Sequence, residues 1–177
     1  ILIRSLIAGS LVAFPASPKF EDINQTIKQS DPTHISLVPT ILRNLIDHNI
    51  KPNKNFKYVF LGGSPSQTEL ITEAAKKSWP IVKVYGSTET CSMITALHQD
   101  EIKSKPDSVG RSLLANKIKI MSKSKNGVGE IAVKSNSLFK EYYNDPITTN
   151  NKLQNGWYHT DDYGWVDDEG YIYIESR

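Results

Sequence analysis

The sequence contains one cysteine among its 177 residues, so it cannot form a disulfide within the chain. A single free thiol is typical of proteins in a reducing compartment, and we therefore expect a cytoplasmic protein. Cys91 could act as a nucleophile only with a catalytic partner, and the sequence indicates none. A small packed thiol is therefore the simpler interpretation of Cys91.

The sequence also lacks an excess of charge of either sign. Its 21 basic and 19 acidic residues are well mixed and give a net charge of +2. Nucleic acids and anionic membrane surfaces attract clustered positive charge, so this composition favours neither partner. The hydrophobic fraction of 38% and the charged fraction of 23% are typical of a soluble globular protein.

No hydrophobic run is long enough to cross a bilayer. The apolar opening, residues 1–14, is too short and too interrupted, and it has no signal-peptide pattern. The sequence starts inside this apolar element without Met and ends at Arg177 directly after a strand-like run. We therefore expect a piece of a longer protein that exposes apolar surface and self-associates as a homo-oligomer.

The first half of the sequence alternates strand-like and helix-like segments. The predicted strands are residues 11–14, 34–38, 58–61 and 81–84. The predicted helices are residues 1–8, a segment from Phe20 to about Asp31, one that opens at Pro39, and residues 67–77 with a capping box at Ser66 and Glu69. This alternation predicts an α/β fold with a largely parallel sheet and flanking helices, over residues 1–103.

The fourth predicted strand leads into a loop of small, hydroxyl-bearing and acidic residues. Ligands of open α/β sheets bind beyond the carboxyl ends of the strands, so this loop is a candidate site. Tyr85 offers a flat face for a planar base, and Gly86 lets the backbone approach a ligand closely. A turn that contains glycine is the alternative interpretation.

The rest of this loop carries groups that suit a phosphate. Ser87, Thr88 and Thr90 have hydroxyls that can donate to phosphate oxygens, and Glu89 is an oxygen ligand suited to Mg²⁺. A second loop, Gly62-Gly63-Ser64, follows the third strand and is expected on the same edge of the sheet. It is either a tight turn before a helix or a wall of the same pocket.

From about Lys103 the helical period gives way to short alternating runs. Asn126-Gly127 separates residues 115–121 from residues 129–133, which is a hairpin signal. Further strand-like runs follow up to residue 174, so we expect a small antiparallel β-barrel-like subdomain over residues 104–177. Within it, Asp162 can accept hydrogen bonds from two ribose hydroxyls. His159 is a general base or a partly packed side chain.

Several motifs of the sequence resemble the adenylate-forming superfamily of acyl-CoA synthetases, in the family order. They are Tyr85-Gly86-Ser87-Thr88-Glu89, Ser108-Val109-Gly110-Arg111, Gly129-Glu130-Ile131, and residues 156–162 and 167–173, with Arg177 after the last. Residues 2–5 and 88–92 look most similar to the o-succinylbenzoate–CoA ligases of menaquinone synthesis. The resemblance implies the second half of the large N-terminal domain of such an enzyme.

The resemblance also implies a role for each motif residue. Tyr85 would lie against the adenine, and Gly62, Gly63 and Ser64 would form the opposite edge of the pocket. Gly86 and Ser87, in the same loop as Tyr85, would also bind the nucleotide. Asp162 and Arg177 would contact the ribose hydroxyls. Thr88 would bond the α-phosphate and Glu89 would hold Mg²⁺, which makes these two the expected catalytic residues.

The implied reaction consumes ATP, a carboxylic acid and CoA in two steps. The carboxylate attacks the α-phosphate to give an acyl-adenylate and pyrophosphate, and CoA then displaces AMP to form a thioester. Catalysis of the first step is mainly alignment and neutralisation of phosphate charge. The family's phosphate loop would lie before Ile1 and its mobile lid after Arg177, so we expect this chain alone to be inactive.

One residue departs from the family pattern at the ribose. Asp161 stands where the family usually has Gly, and its β-carbon and charge could weaken nucleotide binding. This departure favours a non-catalytic, truncated nucleotide-binding homologue as one alternative. The other alternative is an adenylation domain that loads a carrier protein, which CoA-dependent release of AMP would distinguish from a CoA ligase.

Overall fold

The computed structural model describes residues 2–113 and 115–176, apart from the side chain of Arg4. The helices are α1 (Leu2–Ile7), α2 (Phe20–Ser30), α3 (Pro39–Asp47), α4 (Thr68–Lys76), α5 (Gln99–Ile102) and α6 (Pro146–Lys152). The strands are β1 (His34–Leu37), β2 (Tyr58–Leu61), β3 (Ile81–Ser87), β4 (Ser92–Leu97), β5 (Arg111–Ser112), β6 (Lys117–Met121), β7 (Gly129–Lys134), β8 (Leu153–Gln154), β9 (Trp157–Val166) and β10 (Ile172–Ser176). No helix among the described residues is long and apolar enough to cross a membrane.

The first sheet has the strand order β1-β2-β3-β4-β5. Strands β1, β2 and β3 are parallel and are connected through helices, as the alternating pattern predicts. Strands β4 and β5 then join the sheet in antiparallel pairs, which the sequence analysis did not predict. The α/β class is confirmed, and the antiparallel edge turns the chain back directly after β3.

Helices α3 and α4 pack on this sheet through one apolar face each. In α3 the fully buried side chains are Leu42, Leu45 and Ile46, which recur at helical spacing. In α4, Ile71 and Ala74 are fully buried at the same spacing. Full burial of each large aliphatic side chain contributes about 1.5–3 kcal/mol, so these two faces hold the helices against the strands.

The second sheet is antiparallel, with the order β10-β9-β7-β6 and β8 paired to β9. The predicted hairpin is confirmed: β6 and β7 pair around a turn in which Gly127 has a φ of 81°. The two sheets share their cores, since Ile94 of β4 packs with the second sheet and Tyr171 packs with the first. The chain changes sheets between Ser112 and Lys117, while the division into subdomains at residue 103 stays a prediction.

Three local predictions are wrong. Residues 11–14 form no strand, and Leu11 and Phe14 are exposed. Helix α4 begins at Thr68 after Gln67, so the Ser66 capping box does not form. Cys91 is exposed in a turn, where its φ of 56° turns the chain, rather than packed in the core.

Candidate functional site

An open cleft of about 770 Å³ lies at the carboxyl ends of the three parallel strands. Its lining residues are Ser36, Leu37, Val38, Phe60, Gly62, Gly63, Val84, Gly86, Ser87, Thr88, Glu89, Ser92 and Met93. The structure therefore brings the glycine turn after β2 and the loop after β3 into one cleft. Ser64 is exposed on the same glycine turn and lies outside the lining, and Arg177 lies outside the described residues.

Glycine is required where the two loops approach each other. A β-carbon at Gly62 would lie 2.8 Å from Cγ2 of Val84 and 2.9 Å from the Val84 carbonyl oxygen. Gly63 has a φ of 86°, a conformation that side chains other than glycine rarely adopt. The β2–α4 turn consequently lies directly against β3, and its backbone faces the cleft.

Strand β3 is longer than predicted and continues through Ser87. Its pairing with β4 shifts register between Tyr85 and Gly86, and a β-carbon on Gly86 would lie 2.1 Å from the Ser92 carbonyl oxygen. Tyr85 therefore lies in a strand rather than in a loop. The loop itself is the tight turn of residues 88–91 between the antiparallel strands β3 and β4.

Thr90 shapes this turn from within. Its buried Oγ1 accepts a hydrogen bond from Ser87 N at 2.9 Å and lies 2.8 Å from the Ser92 carbonyl oxygen. The Thr90 hydroxyl is therefore engaged inside the turn and is not presented to a ligand. Thr88 is exposed to the cleft, whereas the buried Ser87 hydroxyl lies near Tyr158 with no hydrogen bond of normal geometry within the described chain.

The segment after β7 holds Glu89. Tyr142 Oη donates to Glu89 Oε1 at 2.9 Å, and Phe139 N donates to the Glu89 carbonyl oxygen at 2.8 Å. Ser137 Oγ adds a hydrogen bond to the Thr90 carbonyl oxygen at 3.1 Å. Burial, followed by the Glu89 carboxylate, raises the pKa of Tyr142, so the phenol stays a donor at neutral pH. The sequence analysis missed Tyr142.

Glu89 offers the oxygen chemistry that Mg²⁺ prefers. Within residues 2–113 and 115–176, no group of three or more His, Cys, Asp or Glu side chains is placed to hold a metal ion. Mg²⁺ is usually bound through one or two carboxylates, with phosphate oxygens and water completing its shell. One carboxylate at the lining of an open cleft fits that mode, and the assignment of Mg²⁺ to Glu89 stays a prediction.

Tyr85 and Asp162 meet between the two sheets. Tyr85 Oη donates to Asp162 Oδ2 at 2.6 Å, and burial, followed by this bond, raises the pKa of Tyr85. Asp162 N in turn donates to Thr160 Oγ1 at 3.0 Å, and that hydroxyl donates to the Ile131 carbonyl oxygen at 2.8 Å. The two residues expected at adenine and ribose are thus in direct contact, on strands β3 and β9.

Asp161 adopts the backbone conformation that glycine favours. Its φ is 62°, its N donates to Glu130 Oε1 at 3.2 Å, and its carboxylate forms an ion pair with Lys152. His159 Nδ1 lies 2.8 Å from Glu130 Oε2, so His159 is the partly packed side chain rather than a free base. Lys152 was also missed, although Asp145-Pro146 before it is a helix-start signal for α6.

Three comparisons place this geometry among known proteins. Residues 1–143 match the family model described as AMP-binding enzyme. The 2-succinylbenzoate–CoA ligase of Bacillus subtilis (strain 168) is 32% identical over 183 residues, covering 99% of this chain and 37% of that protein. This chain therefore spans 37% of the length of that relative.

Solved structures of the Bacillus subtilis o-succinylbenzoate CoA synthetase share the fold. The complex with the acyl-adenylate intermediate has a TM-score of 0.92 at 32% identity, covering 99% of this chain and 37% of that one. The complex with ATP and magnesium ion has a TM-score of 0.90 at 32% identity, with coverages of 98% and 37%. Since the family match contains the cleft and the β3–β4 turn, the chain belongs to the family of AMP-binding enzymes.

Proposed function

We propose that the complete gene product containing this chain is an AMP-forming acid–CoA ligase that uses ATP, Mg²⁺ and CoA. The observation that carries the proposal is the β3–β4 turn, which presents Thr88 and Glu89 to the cleft. The relatives that match nearly all of this chain are 2-succinylbenzoate–CoA ligases, so we assign the same acid as substrate. With that substrate we assign the enzyme to menaquinone biosynthesis and to the cytoplasm, where an exposed single cysteine such as Cys91 is typical.

In this proposal the chain's own residues align the nucleotide. Tyr85 lies against the adenine, the Gly62-Gly63-Ser64 turn forms the opposite edge, and Asp162 accepts bonds from ribose hydroxyls. Gly86 and Ser87 bring the β3 backbone to the nucleotide. Arg177 adds a ribose contact as the resemblance implies.

The acid carboxylate attacks the α-phosphorus while the bond to pyrophosphate breaks. Thr88 donates to an α-phosphate oxygen and stabilises the charge that develops there. Mg²⁺ held by Glu89 would neutralise phosphate charge. The CoA thiolate then attacks the acyl carbon and forms the thioester. AMP leaves with the electrons of the acyl–oxygen bond.

The experiment measures pyrophosphate release by the complete gene product over a panel of aromatic and aliphatic acids, followed by AMP release with and without CoA. The proposal expects pyrophosphate only with 2-succinylbenzoate or close analogues, and AMP release that requires CoA. AMP release that requires a carrier protein instead would identify a carrier-loading adenylation domain. ATP binding without any pyrophosphate release would identify a non-catalytic homologue.

We also propose that the exposed apolar side chains near the start of the chain mediate self-association. Leu6, Ile7, Leu11 and Phe14 are 65%, 83%, 103% and 69% exposed. Burying such side chains against a second copy removes apolar area from water. Light scattering of the purified chain should give a mass above 19.9 kDa that falls when Ile7 and Leu11 are changed to Glu. A monomer in both cases would contradict this, and Ile147→Glu is the matched control at another exposed apolar site.

A further inference from the structure

The ribose end of the proposed site carries a second carboxylate, Asp161, beside Asp162, although one carboxylate is enough to bind the two ribose hydroxyls. Asp161 directly precedes Asp162, and its backbone N–H is bonded to Glu130. The Asp161 charge also reaches the Tyr142 hydroxyl, which donates to Glu89. Two adjacent carboxylates, Asp161 and Asp162, therefore stand in β9 where the ribose of a polyanionic nucleotide is proposed to bind. An uncompensated extra charge there repels phosphate.

Lys152 supplies the compensating charge. It stands in the last turn of α6, and its Nζ forms an ion pair with Asp161 Oδ1. The Lys152 side chain is only 22% exposed, whereas that of Asp161 is 61% exposed. The ammonium is thus the more buried partner of the ion pair, and the carboxylate is the more solvent-exposed one.

We propose that Lys152 is a positioning residue that holds the Asp161 carboxylate away from the nucleotide and neutralises it. This inference rests on the proposed function, because it needs ATP at Asp162 and Glu89. It explains how the site accepts an acidic side chain at a position whose backbone, with a φ of 62°, suits glycine. Asp is one of the few residues that adopt this conformation at modest cost.

The test is a double-mutant cycle on ATP affinity in the complete gene product. Lys152→Met should weaken ATP binding about threefold or more, because one unpaired charge then acts across partly solvated space. Lys152→Arg keeps the charge and should restore the wild-type affinity. In the Asp161→Gly background, Lys152→Met should have no effect on ATP affinity. Binding of neutral adenosine should change little in every variant.

Three other results would contradict the role proposed for Lys152. Equal weakening by Lys152→Met with and without Asp161 would mean a merely structural role for Lys152, and no weakening at all would also overturn the inference. A wild-type protein that binds no ATP would overturn the proposed function and this inference together. Lys125→Met, at an exposed lysine in the β6–β7 turn, is the control for loss of a positive charge.

Discussion

Tyr85 of β3 donates a hydrogen bond of 2.6 Å to Asp162 of β9, a residue 77 positions later in the chain. This bond joins the first sheet to the second. The cleft lining includes Val84 and Gly86, on either side of Tyr85 in β3, but neither Tyr85 nor Asp162. Because burial raises the pKa of Tyr85, the phenol keeps its proton throughout the neutral range and remains the donor. The proposed adenine and ribose contacts are thus fixed relative to each other before any nucleotide binds.

Tyr85→Phe tests this link, since it removes the donor and keeps the aromatic face. We expect the free energy of unfolding to fall by about 1.5–3 kcal/mol, the usual contribution of a hydrogen bond to a charged group. ATP affinity should fall as well, while Tyr85→Ala should lower it further by removing the face. Chemical denaturation and ATP titration measure both effects. Tyr163→Phe, at an exposed tyrosine next to Asp162, should change neither, and equal losses there would contradict the account.

Gly86→Ala should destabilise the β3–β4 hairpin through steric overlap. The added β-carbon would lie 2.1 Å from the Ser92 carbonyl oxygen, so the backbone must move. Overpacking of this kind costs about 1–3 kcal/mol, and the turn that carries Glu89 would shift with the strand. The measurement is the free energy of unfolding together with ATP affinity. Gly127→Ala is the control. Its β-carbon meets no atom within 4 Å, but a φ of 81° strains alanine, so it should lower stability and leave ATP affinity unchanged.

Tyr142→Phe should remove one hydrogen bond from the Glu89 carboxylate and leave the carboxylate itself in place. The lost bond is the 2.9 Å contact between Tyr142 Oη and Glu89 Oε1. Since Glu89 is the proposed Mg²⁺ ligand, fixing it less firmly should raise the Mg²⁺ concentration needed for half-maximal ATP binding by about threefold to tenfold. The matched control is Tyr143→Phe, because that neighbouring side chain is 91% exposed. An unchanged Mg²⁺ requirement in Tyr142→Phe would mean that Tyr142 does not position Glu89.

Lys105, shortly after α5, ties that segment to the β9–β10 turn. Its Nζ lies 2.8 Å from Asp167 Oδ2 and 2.7 Å from Glu169 Oε1. Burial raises the pKa of Asp167, but the hydrogen bonds from Lys105 and Tyr171 N lower it by more. The pKa of Asp167 is therefore below its ordinary 3.8. A lowered carboxyl pKa contributes stability above pH 3.8 that is lost as the pH falls through the folded-state pKa.

Lys105→Met should therefore lower Tm at pH 7, and the difference from wild type should shrink as the pH falls below 3.8. Thermal unfolding followed by circular dichroism at several pH values measures this. Lys103→Met, at an exposed lysine two residues earlier, should show no such pH dependence. A Tm difference that stays constant down to pH 2 would show that Lys105 stabilises the protein through packing alone.

The sequence predicts the helices and strands correctly where the local hydrophobic or turn pattern favours the same structure as the packing of the folded chain. The buried spacing of Leu42, Leu45 and Ile46 predicts α3, and Asn126-Gly127 predicts the β6–β7 hairpin, because each signal is local. Residues 11–14 look like a strand by composition, but no neighbouring strand pairs with them. Strand β4 was missed because the turn of residues 88–91 was interpreted as a ligand loop that leaves the sheet.

The candidate site could be predicted only in part. The sequence indicates Glu89 and Asp162 from residue type and motif, yet it cannot show that Tyr142 and Lys152 reach this site from distant segments. Tyr142 lies 53 positions from Glu89, and the contact depends on how the second sheet packs. The negative charge of Asp161 is evident from the sequence, but its ion pair with Lys152 is not, because that contact depends on how α6 lies against β9.

The most direct test of the account is the Mg²⁺ dependence of ATP binding in the complete gene product with and without Glu89→Gln. The amide keeps an oxygen that can accept the Tyr142 hydrogen bond, so the variant changes charge more than shape. The account predicts that Mg²⁺ tightens ATP binding to the wild type, and that this gain falls about tenfold, or about 1.4 kcal/mol, in the variant. Glu141→Gln, at an exposed acid nearby, should behave as wild type. An identical Mg²⁺ effect in wild type and Glu89→Gln would contradict the account.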